Sequence, residues 1–217
     1  MKRLLVLALA VGGTSAAHAY SLFNFEEFAA TSSVSLGEPG ALTSLTSTNA
    51  GLSLTVSRTS GTAFDIFDND SARPLGFFFP LTWDQKCLDP FFNATVNDAF
   101  VGNFSKNVSA VELEMTDFGA DSDTLTMEVW SGLNGTGTLI QTVNNNWGTN
   151  SAPSYAGLGW ASNTLTARSI VFRGGDGNTF PNSMFIDNVA AVTAVPEPAT
   201  LTALGLGMVA LIRRRRR

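Results

Sequence analysis

At 217 residues, with eighteen Asp+Glu against thirteen Lys+Arg, the chain is long enough for one buried core and too acidic to favour nucleic acid or anionic lipid. Its one cysteine, Cys87, excludes an internal disulfide and reads as a small buried side chain. Its one histidine, His18, lies in a segment expected to be removed, which leaves no Ser-His-Asp or Cys-His nucleophile and no histidine-based zinc site.

The chain opens with Met1-Lys2-Arg3, an apolar run over 4–11, and Ala17-His18-Ala19. A basic start, an apolar core and an A-x-A site make residues 1–19 a secretory signal peptide, with signal peptidase and the export machinery as implied partners. Cleavage after Ala19 leaves Tyr20 as the new N-terminus, and because Tyr20 is not cysteine no lipoprotein is expected. Without the leader, the C-terminal arginines and Glu197, six basic residues face seventeen acids, a net charge of −11 on the body. Such a surface suits neutral polymers or divalent cations.

The body, residues 20–193, is punctuated by Gly, Ser, Thr and Asn, and its apolar residues recur at period two. Leu52-Ser53-Leu54-Thr55-Val56, Val111-Glu112-Leu113-Glu114-Met115 and Leu125-Thr126-Met127-Glu128-Val129-Trp130 each bury one face of a strand and wet the other. Residues 23–28, 63–67, 138–143, 169–172 and 184–189 add further predicted strands. Turn signals such as Asn134-Gly135, Gly174-Gly175-Asp176-Gly177-Asn178 and Ala152-Pro153 separate them. Short strands without helical crossovers predict an all-β fold, a single antiparallel β-sandwich of jelly-roll type.

Beyond the body come Val195, Pro196, Glu197 and Pro198, then an uncharged run over 199–212, then Arg213, Arg214, Arg215, Arg216 and Arg217. The prolines stop any helix from running through them. Residues 199–212 span about 21 Å as a helix at ~1.5 Å per residue, against a bilayer core of roughly 30 Å, so the predicted transmembrane helix is a weak anchor. Five consecutive arginines place its end on the cytoplasmic side and the body outside.

The order of Pro-Glu-Pro motif, short apolar helix and terminal arginine cluster resembles the PEP-CTERM sorting domain over residues 195–217. That resemblance implies recognition and cutting by exosortase in a Gram-negative bacterium that makes exopolysaccharide. The same C-terminal region also goes under the label of an ice-binding-protein C-terminus, which implies nothing about ice. Phe23-Asn24-Phe25-Glu26-Glu27-Phe28 at the start of the body and Met184-Phe185-Ile186-Asp187-Asn188-Val189 at its end look like the jelly-roll domains of PEP-CTERM proteins and carbohydrate-binding modules. In such modules the first and last strands pair and their acids hold a structural Ca²⁺.

Three chemistries are then open. Calcium needs six to eight oxygens, and Glu26, Glu27 and Asp187 supply carboxylates if the terminal strands are neighbours. Asp65 with Asp68 and Asp70, Asp121 with Asp123, and Asp176 with Asn178 are further clusters, for which solvated residues and Asx turns are the rival and preferred reading. Sugar binding needs an aromatic face beside amides; Asn145 and Trp147 in Asn144-Asn145-Asn146-Trp147 form the best platform, with Trp83, Tyr155 and Trp160 also near loops, and core filling as the rival reading. Catalysis is left with carboxylate pairs alone, which seventeen acids make inevitable, so no enzyme is expected. The expectation is an exported, non-catalytic structural or adhesive protein of the envelope or extracellular matrix, associated with exopolysaccharide. A carbohydrate-binding module with structural calcium and a glycoside hydrolase are the alternatives.

Overall fold

The computed structural model describes residues 19–31, 40–68, 85–89, 98–116, 122–148, 155–175 and 184–193. The period-two pattern becomes strands and, among these residues, no helix. In chain order they are β1 (Tyr20–Phe23), β2 (Ser44–Asn49), β3 (Leu52–Arg58), β4 (Asp65–Asp68), β5 (Lys86–Asp89), β6 (Phe100–Thr116), β7 (Asp123–Trp130), β8 (Leu139–Trp147), β9 (Ala156–Ala161), β10 (Ala167–Gly175) and β11 (Phe185–Thr193). All join one antiparallel sheet.

β6 is the spine. Its 17 residues outrun any neighbour, so its two halves acquire different partners. Residues 100–104 lie between β3 and β10, which lead outward to β2 and to β7 and β8. The second half lies between β11 and β9, and the far side of β11 pairs with β1 and, at Ile186, with β5. Alternation decides which side chains are hidden: Leu52, Leu54 and Val56 on β3, Leu125, Met127 and Val129 on β7, and Leu113 and Met115 on β6 are all fully buried. Side chains from both halves belong to one hydrophobic cluster.

The first and last strands pair as the family resemblance implies, Tyr20 opposite Val192 through Phe23 opposite Val189. The Thr193 N–H donates to the Ala19 carbonyl at 3.1 Å, so the chain enters and leaves the body at adjacent points. The compact unit runs from Ala19 to Ala194. The leader up to His18, with Ala17, and the tail with Val195, Pro196, Glu197, Pro198, the 199–212 run and the arginine cluster lie outside the described residues.

Two expectations need correction. The strand predicted over 23–28 stops at Phe23, because the chain turns at Phe25, whose φ is 60° and whose ring is fully buried; the Phe28 N–H closes the turn on the Phe25 carbonyl at 3.1 Å. Strands β2, β9 and the first half of β6 escape prediction because their Ser, Gly and Asn content imitates loops, and β5 because its four residues, Lys86–Asp89, are too few to show an alternation. The Asn134-Gly135 turn is present, with φ of 56° and 63° and the Thr136 N–H bonded to the Leu133 carbonyl at 3.1 Å.

Candidate functional site

The outward face of β1, β11, β6 and β9 carries a trough. Opposed residues of an antiparallel pair point to the same side, so the registers build rows across four strands. One row is Tyr20, Val192, Ala110 and Ala161; the next is Leu22, Ala190, Glu112 and Gly159; a third brings Glu114 beside Gly157. Two hollows of about 390 and 340 Å³ lie over these rows and share Tyr20, Glu112 and Ala190.

The floor is open by composition. A Cβ built on Gly159 would meet nothing within 4 Å, and one on Gly157 would meet its nearest atoms, Glu112 Oε1 and the Leu113 carbonyl, only at 3.9 Å. Neither glycine adopts a positive φ. Among the described residues nothing therefore demands glycine here, although each costs a strand interior roughly 0.5–1 kcal/mol relative to alanine. What the pair supplies is clearance above the backbone.

Polar groups and aromatics frame this floor. A bulge between Asp187 and Ala190 sets two residues of β11 against one of β6 and holds Asn188 at φ 51°, a conformation asparagine tolerates. Asn188 Nδ2 then donates to Glu114 Oε2 at 2.9 Å. Tyr20 on β1 and Tyr155 just before β9 stand at opposite borders, 60% and 43% exposed. Glu112 is exposed at the centre, and among the described residues no Lys, Arg or His lines either hollow. The trough thus combines tyrosine faces with two carboxylates, one of them held by Asn188.

Of the residues expected from the sequence, Tyr155 and Trp160 line the hollows and the preferred pair does not. Trp147 ends β8 opposite Asp123 with its ring in the core, 2% exposed, so it offers no stacking platform; its indole N–H finds no hydrogen-bond partner among the described residues. Asn145 donates from Nδ2 to the Gly157 carbonyl at 2.9 Å and ties β8 to β9. Trp160 is also a core residue, whereas Tyr155 keeps the exposed position its loop-like context suggested.

The expected calcium set is not brought together. Glu26 Oε1 accepts from the Lys86 N–H at 2.6 Å, while Glu27 accepts from the Ser47 hydroxyl. Asp187 is fully buried on β11. Among the described residues no three His, Cys, Asp or Glu are placed to hold a metal ion. Asp65 is buried and accepts from the Thr31 hydroxyl at 2.6 Å and the Ala41 N–H at 3.0 Å; Asp70, Trp83, Asp121, Asp176 and Asn178 lie outside the described residues.

Cys87 is inert by the same surroundings. Burial first, then the charges of Asp187, Asp89 and Glu26, push its thiol well above the usual range, so it stays protonated at neutral pH. Iodoacetamide is expected to leave Cys87 of the native protein unmodified and to alkylate it fully in guanidinium. Rapid native alkylation, followed by mass spectrometry, would contradict this.

Residues 194–217 match the model of the PEP-CTERM protein-sorting motif. The motif implies an exported, membrane-anchored precursor that exosortase processes. No curated protein matches the chain. A DUF4465 family protein from Bacteroides ovatus ATCC 8483, known from a crystal structure, is similar at a TM-score of 0.40 and 9% identity, over 81% of this chain and 99% of that one.

Proposed function

We propose that this exosortase-sorted protein serves a non-catalytic, adhesive role in the envelope or extracellular matrix, with its trough engaging exopolysaccharide. The observation that supports the adhesive reading is the floor of Gly157 and Gly159, kept clear between two exposed tyrosines where no contact among the described residues requires it. The body is a β-sandwich in this reading, which is supported by strands of one connected sheet sending side chains from both halves into one cluster. Signal peptidase cuts after Ala19, Tyr20 begins the mature chain, and exosortase acts near Val195, Pro196, Glu197 and Pro198. The body then passes from the periplasm to the surface or matrix.

Binding is favoured over hydrolysis by the placing of the acids. Glu112 and Glu114 are two residues apart on one strand, about 7 Å along it, and face the same way. A glycosidase needs its two carboxyls on either side of the scissile bond. Neighbours on a floor lie on one side of any sugar ring above them.

The test is intact mass combined with co-sedimentation on the producing cell's own exopolysaccharide. A species that begins at Tyr20, lacks the arginine tail and sediments with the polymer is expected. Cytosolic protein still ending in Arg217 would overturn the sorting reading, and mature protein that washes free would overturn the adhesive one.

A further inference from the structure

We propose that Asn134 is a site of spontaneous deamidation that the folded body holds shut, with Asn103 and Ser169 as its two latches. Asn134 is the one asparagine of the chain that a glycine follows, and glycine leaves the next amide nitrogen open to its neighbour. In deamidation the Gly135 nitrogen gives up its proton and bonds to Asn134 Cγ, the Cγ–Nδ2 bond breaks, and ammonia departs with that proton. Water, the only co-reactant, then opens the five-membered imide at either carbonyl and leaves aspartate or isoaspartate at position 134. Asn134 is exposed, so water is at hand for that step.

The fold ties down both reacting groups. Trp130, Ser169 and Asn103 stand opposite one another on β7, β10 and β6. The turn over 133–136 lies back across that row, so close that a Cβ on Gly135 would meet Val171 Cγ2 at 2.7 Å. The Gly135 N–H donates to the Ser169 hydroxyl at 3.0 Å, and that hydroxyl, fully buried, donates to the Gly132 carbonyl at 2.6 Å. The imide nitrogen carries no hydrogen, so ring closure must give up the bond to Ser169. A neutral hydroxyl committed to Gly132 is also too weak a base to hasten loss of the Gly135 proton. Asn103 grips the other partner: its Oδ1 accepts from the Asn134 N–H and its Nδ2 donates to Asn134 Oδ1, both at 2.7 Å. Closing the ring swings the Asn134 carboxamide out of this two-point pair. Opening of the tip therefore limits the rate, and deamidation is confined to chain that is unfolded or locally open. Isoaspartate then adds a backbone carbon to a two-residue turn whose φ values are 56° and 63°, so the tip does not re-form as it was.

The experiment incubates the processed protein, as recovered from cells, in mildly alkaline buffer, folded and in guanidinium. Position 134 is read by peptide mass spectrometry that separates asparagine, aspartate and isoaspartate. Each latch changes the population of the open tip about tenfold, so the folded protein should convert roughly a hundredfold more slowly than the denatured chain. Asn103→Ala and Ser169→Ala should each speed conversion of the folded protein about tenfold, well below their melting temperatures. Exchange of the Gly135 N–H should quicken in step, while the Ile170 N–H, inside β10 between β6 and β7, stays protected; that pattern separates local opening from unfolding. Ser169 is buried, so Asn103→Ala, at the surface, and the comparison of folded with denatured wild type decide the matter if Ser169→Ala does not fold. Folded wild type converting as fast as the denatured chain would overturn the proposal, and so would folded variants converting no faster than wild type. Slower conversion in the variants would show that the two contacts activate the amide, and would overturn it as well.

Discussion

Asp98→Ala is expected to cost about 3–5 kcal/mol, because it takes from a buried arginine the stronger of its two counter-charges. Arg58, at the end of β3, is 4% exposed; its guanidinium lies 5.2 Å from the centre of the Phe100 ring, with Nε 4.0 Å from Asp98 Oδ2. Burial lowers the Arg58 pKa, and the charges of Asp98 and Asp89 oppose that. Asp98 is buried too. Its carboxylate accepts from the Thr59 hydroxyl at 2.5 Å, the Ser60 N–H at 2.9 Å and the Ser60 hydroxyl. Burial alone would raise its pKa, but the Ser60 and Thr59 donors and Arg58 outweigh burial and hold it below the ordinary value. The sign of the pH effect follows. Stabilisation by ionised Asp98 is complete above the unfolded carboxylate value of about 3.9 and is lost as pH falls through the lower folded value. Urea melts between pH 2 and 7 should therefore show an acid limb in the wild type that is shallower in Asp98→Asn, with no change between pH 5 and 7 in either protein. Parallel acid limbs would refute the assignment. The double variant Arg58→Met with Asp98→Ala should recover most of the loss, since removing both charges removes the orphan.

What the sequence disclosed follows from which signals are local. Leu52, Leu54 and Val56 announce β3 because alternation is visible in five consecutive residues, and the same holds for β7 and the second half of β6. The first half of β6 is hidden by Gly102, which reads as a breaker. Its reason is tertiary: a Cβ there would meet Leu54 Cδ1 at 3.1 Å and Ile170 Cγ1 at 3.2 Å. β9 is obscured by Gly157 and Gly159, whose reason is the clearance of the trough. The trough itself was illegible because its parts come from four strands far apart in the chain. Glu112 and Glu114 look like the wet half of an ordinary strand, and Tyr20 looks like the residue after a cleavage site. Trp147 misled in the opposite sense. Three asparagines before it erase the alternation that would have assigned it inward, so a core ring passed for a loop platform. The calcium expectation missed partners that no local signal shows: Glu26 accepts from the Lys86 N–H and Glu27 from the Ser47 hydroxyl, donors far away in the chain.

Phe100→Ala should lower stability by about 3–5 kcal/mol, on the order of 10 °C in melting temperature for a body of this size. Phe100 begins β6 and is 2% exposed. Its ring meets Phe64 edge-on with centroids 5.3 Å apart, stacks on Phe172 at 5.6 Å, and has the Arg58 guanidinium over it. One truncation therefore removes a large buried area, two aromatic pairs and the surface on which a buried cation rests. Phe100→Leu separates these effects: it restores most of the volume but no ring, so the loss that remains, roughly 1–3 kcal/mol, belongs to the ring contacts. Differential scanning calorimetry of both variants measures the two losses, and equal melting temperatures for them would show that volume alone matters. Glycan binding measured well below the melting point adds a second readout. Glu112 and Glu114 stand on the other half of the same strand, beyond the point where its partners change from β3 and β10 to β11 and β9. If those partners hold the trough, Phe100→Ala should melt early yet bind unchanged when cold. Weakened binding by the cold, folded variant would instead mean that β6 transmits the disturbance along its length.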